Sequence, residues 1–143
     1  MKTKLIFLIA IILSFVTINM AQTGKLSTTG VHKPAKGSAE RRAILDALRT
    51  PEAAQFKVSF MRVHDGWAWA DTTPLDKAGK PIAEGGPNLL QLVKGTWKVM
   101  DLSRVPEDPN DPMGAEDASK VFVANLRRTF PGVPADIFPK PSH

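Results

Sequence analysis

The stretch Phe56-Lys57-Val58-Ser59-Phe60-Met61-Arg62-Val63-His64-Asp65-Gly66-Trp67-Ala68-Trp69-Ala70-Asp71 decides the fold. Asp65-Gly66 between two apolar-rich runs is a strong hairpin signal. A two-residue type I′ turn needs positive φ at both central positions, which Asp tolerates and Gly adopts freely. On that turn, residues whose numbers sum to 131 oppose each other, so Met61 faces Ala70 and Val63 faces Ala68. These four make one wholly apolar face, which reads as the core side. The opposite face carries Arg62, His64, Trp67 and Trp69. Upstream, Phe56, Val58 and Phe60 have the wrong parity to share the core face. One extra residue inserted near Phe60-Met61, a β-bulge, would reconcile them and curve the sheet.

Working outward, Leu89 to Val93 and Thr96 to Leu102 read as two further strands turning at Lys94-Gly95, with Leu92 opposite Trp97 and Leu90 opposite Val99. The link from Thr72 to Gly86 holds Pro74, Gly79, Pro81, Gly85 and Gly86 and reads as an exposed flap. Ahead of the hairpin, Ser38 suits a helix N-cap, and strong helix formers follow through Arg49. Ile44, Leu45 and Leu48 form its apolar stripe, and Thr50-Pro51 stops it. A helix this short needs a sheet to lie on. After a Pro-rich loop from Ser103 to Gly114, Ala115 to Thr129 reads as one helix with Ala118, Val121, Phe122 and Leu126 at core spacing. Phe130-Pro131-Gly132 ends it, and Ile137 and Phe138 pin the tail. The expected class is α+β: an N-terminal helix packed on a curved four-stranded antiparallel meander, with a C-terminal helix, in the order α-β-β-β-β-α.

The chain ends add compartment. Lys2 and Lys4 precede an apolar run from Leu5 to Ile18, the pattern of a secretory signal peptide over 1–21 with cleavage after Ala21. The run is too short to span a bilayer, so the mature chain is expected not to be membrane-spanning and to be periplasmic or secreted. Residues 22–37 read as a flexible leader, and 38–143 as a single α+β domain. The chain has no cysteine, so an exported domain must rely on its apolar core. Losing two lysines with the signal takes the formal charge of +5 down to +3. Basic residues are scattered among acidic ones, and no basic stripe marks a nucleic-acid partner.

The helix Arg42-Ala43-Ile44-Leu45-Asp46-Ala47-Leu48-Arg49, the strand Trp67-Ala68, Trp97-Lys98-Val99 and the ending Phe130-Pro131-Gly132-Val133-Pro134 resemble a family of small uncharacterised exported bacterial proteins. The layout is similar to the cystatin-like and nuclear-transport-factor-like α+β class. That resemblance implies a pocketed fold hosting enzymes, carriers and protein-binding modules, and assigns no catalytic residue.

The ligand-binding face expected from the residues is Arg62, His64, Trp67 and Trp69, since two indoles and a cation on one patch suit stacking and cation–π contact. The competing reading is that the Pro-rich tail or the C-terminal helix covers these indoles. His32, His64 and His143 share no metal-ligand spacing. Asp108 to Gly114 fails as a calcium loop because proline and methionine occupy positions that need a ligand and a glycine. No metal or cofactor is expected. The function expected is a non-enzymatic binding or accessory module of the bacterial envelope, its partner an envelope protein or a small ligand. Alternatives are a small hydrolase or isomerase using His64 with Asp71 or Asp101, and a secreted inhibitor or immunity-type protein acting through the flap.

Overall fold

A computed structural model describes residues 30–140. The expected signal peptide and residues 22–29 of the leader lie outside the described residues, as do 141–143. Helix α1 (Ala39–Ala47) is followed by strands β1 (Gln55–His64), β2 (Trp67–Leu75), β3 (Gly86–Val93) and β4 (Thr96–Val99). Helices α2 (Gly114–Asp117) and α3 (Lys120–Thr129) come next, with one-turn 3-10 helices at Leu102–Arg104 and Ala135–Ile137. The strands form one antiparallel sheet in the order β1-β2-β3-β4, so the chain is of the α+β class.

Both tight turns follow from their residues. Asp65 and Gly66 hold φ of 47° and 74°, and Lys94 and Gly95 hold 50° and 79°. These are type I′ values, and they set the register. Met61 pairs with Ala70, Val63 with Ala68, Arg62 with Trp69 and His64 with Trp67. Leu92 pairs with Trp97 and Leu90 with Val99. The bulge falls between Val58 and Phe60 rather than near Phe60-Met61. Its position turns Val58 toward the α1 side with Met61 and Val63 and leaves Phe60 on the opposite face.

Strand β2 has Trp67, Ala68, Trp69 and Ala70 all buried, because the sheet is covered on both faces. On one face Ile44 of α1 packs on Met61, Val63, Ala68, Ala70, Leu90 and Trp97, with Leu45, Ala47 and Leu48 beside it. The alanines of β2 leave room for the helix. On the other face Trp67, Trp69 and Leu89 pack under Leu126, Phe130, Val133, Ile137 and Phe138. Large and small side chains alternating along β2 thus fill a thick layer on one side and a thin one on the other.

Three expectations need correction. Thr72 to Leu75 belong to β2 and Gly86 opens β3, so the flap is shorter than Thr72 to Gly86. It is also ordered. Asp76 Oδ1 accepts from the backbone N–H of Ala78 and Lys80, and Leu75 bridges Pro81. The C-terminal helix is broken: Ala118 takes a left-handed φ of 48°, and Ser119 restarts the chain as N-cap of α3, its Oγ accepting from Phe122 N. Ser119 Oγ also donates to Asp111 Oδ2, which anchors the Pro-rich loop at the break. Finally, residues 30–37 are not a free leader. His32 exchanges two backbone hydrogen bonds of 2.9 Å with Val63 on the outer edge of β1.

The His32 imidazole meets the Glu40 carboxylate at 2.7 Å. That hydrogen bond, aided by Gly30 O and by the negative charge of Glu40 and opposed by burial, raises the His32 pKa above its ordinary 6.5. A raised histidine pKa contributes stability that is fully present below the unfolded value and is lost as pH rises through the folded one. The protein is therefore expected to be less stable at a pH above the raised folded value than at one below 6.5, by roughly 1 kcal/mol or less, since the ring is partly solvated. Urea melts at the two pH values check this, and His32→Gln should flatten the difference.

Candidate functional site

The four residues of the expected aromatic-cationic face do not form an open patch. Trp67 is 6% and Trp69 1% exposed. Trp69 makes an edge contact with Phe138 at 5.0 Å between ring centroids and a tilted one with Phe122 at 6.2 Å. Both indoles are core residues beneath α3 and the tail, and the expectation that they line a ligand surface is corrected. Arg62 and His64 remain nearer the surface but are tied to that same tail. His64 Nδ1 meets Asp136 Oδ1 at 2.9 Å, and Arg62 Nη1 donates to Asp136 O at 3.3 Å. The Arg62 guanidinium lies 5.2 Å from the Phe60 ring centroid. These contacts clamp Ala135–Ile137 onto the first hairpin and so hold the cover over the indoles.

The carboxylates named with His64 lie elsewhere. Asp71 pairs with Phe60 and Pro87 inside the sheet. Asp101 caps the 3-10 turn that follows β4, accepting from Ser103 N at 3.0 Å and Ser103 Oγ at 2.6 Å. Those hydrogen bonds hold its carboxyl below the ordinary range. Strand β3 separates β2 from β4, so the two carboxylates do not share a sheet edge. Among the described residues no group of three or more His, Cys, Asp or Glu is placed to hold a metal ion. No helix of the described residues is long and apolar enough to cross a membrane.

A different region has the shape of a site. A cleft of about 650 Å³ opens between the end of α1, the start of β1, the flap and the start of β3. Leu48, Ala53, Phe56, Pro74 and Ile82 supply apolar walls. Its polar wall includes Thr72, which is buried, and Asn88, whose amide donates to Thr72 Oγ1 at 3.3 Å and Gly86 O at 3.0 Å. Cleft volumes of a few hundred Å³ with apolar walls and few fixed polar groups are the common form of a small-ligand site.

Local sequence builds each wall. Thr50-Pro51 ends α1 and turns the chain out, and Arg49 fastens the exit by donating to Ala54 O at 2.7 Å and Ala53 O at 3.3 Å. The Arg49 guanidinium also lies 5.9 Å from the Phe56 ring centroid, which steadies the apolar wall. On the far side Gly85 lies so close to β2 that a Cβ there would stand 2.3 Å from Thr73 Oγ1. The absence of a side chain lets the flap base approach the sheet this tightly.

A second cleft of about 440 Å³ lies between the Pro-rich loop and α3, with Glu107, Asp108, Asp111 and Glu116 among its walls. Two of these carboxylates are used by the loop itself. Asp108 Oδ1 accepts from Asn110 N at 2.9 Å, and Asp111 accepts from Ser119. His64 lines neither cleft.

The chain matches no protein-family model, and comparison with curated proteins and with solved structures gives no match.

Proposed function

We propose that the protein is an exported, non-enzymatic binding module of the bacterial envelope, and that it takes a small ligand in the cleft between α1 and the flap. The observation that carries this reading is the cleft itself, about 650 Å³ with apolar walls supplied by the α1 exit, β1, β2 and the flap. The signal-like N-terminus supports the compartment. The resemblance to pocketed α+β layouts agrees with a ligand held between a helix and a sheet. His64 favours support over catalysis, because its partner Asp136 belongs to the clamped tail and the ring lines neither cleft. The flap reads as a wall of the site rather than as a plug for a partner, since Ile82, Ala83 and Glu84 line the cleft.

Ala83 is exposed and lines the cleft, so Ala83→Trp should fill the opening without disturbing the core. Ligand-observed NMR with a fragment library is the test. Fragments that bind the native protein are expected to lose at least about tenfold in affinity on Ala83→Trp, about 1.4 kcal/mol. The same fragments should bind His64→Ala unchanged. Fragments retained by Ala83→Trp and lost by His64→Ala would return the site to the first hairpin.

A further inference from the structure

The sign of charge on the cleft narrows its ligand. We infer that the cleft selects an amphipathic small molecule with an apolar body and one cationic group, a protonated amine or a quaternary ammonium. This inference rests on the cleft being the ligand site.

Residues 30–140 carry 16 Lys and Arg against 14 Asp and Glu, close to balance. The cleft departs from that balance. Its ionisable wall residues are Glu52 and Glu84, both exposed, with no Lys, Arg or His among the residues that line it. Neither glutamate has an ion-pair partner among the described residues. Arg49, just upstream of the α1 exit, is spent on Asp46 and on the carbonyls of Ala53 and Ala54. Glu52 lies on the α1–β1 link and Glu84 on the flap. A cation held in the cleft is attracted by both, and an anion is repelled by both. Leu48, Phe56 and Ile82 supply apolar surface for the remainder of such a ligand.

Three probes of equal chain length separate charge from apolar burial: octylammonium, octanol and octanoate, each below its micellar concentration. Calorimetric titration of the purified protein at low salt should rank them in that order. Octylammonium is expected to bind roughly fivefold more tightly than octanol, the size of effect that two partly solvated charge pairs supply. In the Glu52→Gln, Glu84→Gln double variant octylammonium should fall to the affinity that the same variant shows for octanol. Added salt should narrow the gap in the native protein. Equal affinities for the three probes, or tightest binding of octanoate, with all binding lost on Ala83→Trp, would overturn the charge preference and leave the cleft as the site. Binding of all three that is indifferent to Ala83→Trp, or no binding at all, would overturn the cleft reading and this inference with it.

Discussion

Trp69→Ala is expected to destabilise the protein by about 3–5 kcal/mol, the range for removing a large buried aromatic side chain. Trp69 is 1% exposed and sits between Phe122 of α3 and Phe138 of the tail. Truncation empties the centre of the thick layer, and the two rings against it belong to separate segments, α3 and the tail, that cannot both collapse into the space. The midpoint of urea unfolding measures the effect, with the slope unchanged if the folded state is otherwise preserved. A surface ligand residue would behave differently: its loss would leave stability within about 0.5 kcal/mol. The size of the change therefore reports directly whether Trp69 is core.

Ile44→Ala is the second large effect, about 2–5 kcal/mol. Ile44 is the one α1 residue that is fully buried, and it packs on both alanines of β2 as well as on Met61, Val63, Leu90 and Trp97. A nine-residue helix has little stability of its own, so its place on the sheet depends on this contact. The consequence reaches the cleft. Leu48 and Ala53, at and beyond the end of α1, are walls of it, so loosening α1 should also weaken fragment binding although Ile44 does not line the site. Unfolding by urea, paired with fragment affinity at a temperature well below the melting transition, separates the two effects.

Much of the sheet was legible in the sequence because two turns carry unambiguous chemistry. Asp65-Gly66 and Lys94-Gly95 each fix a two-residue reversal, which then assigns the facing pairs from His64 with Trp67 to Phe60 with Asp71 in the first hairpin and from Val93 with Thr96 to Leu90 with Val99 in the second. The bulge was legible only to within a residue or two. Phe56, Val58 and Phe60 are all apolar with one parity, so nothing in their pattern says which of them stays on the far face once an extra residue enters. The helix break at Ala118 was hidden by apolar residues that continue at helical spacing across it. Its available signal was Ser119, a good N-cap whose hydroxyl reaches back to Asp111.

The covered faces and the cleft are less readable for a shared physical reason. The alternation Trp67-Ala68-Trp69-Ala70 is equally the mark of an aromatic surface and of a strand buried on both sides. What decides between them is the tail, whose clamp through Asp136 is formed across 72 positions from His64. The cleft draws its walls from the α1 exit, three strands and the flap, none of which has a motif of its own. Gly85 was visible as a breaker, but its role in bringing the flap onto Thr73 depends on a contact that spacing does not encode.

The most direct measurement is an amide chemical-shift map of the isotope-labelled protein titrated with octanol, a neutral probe that does not presuppose the charge of the natural ligand. Binding in the cleft is expected to shift the amides of Leu48 to Phe56 and of Ile82 to Asn88, leaving Arg62, His64 and Asp136 in place. Shifts confined to Arg62, His64 and the tail around Asp136, with the α1 exit and the flap unmoved, would contradict it.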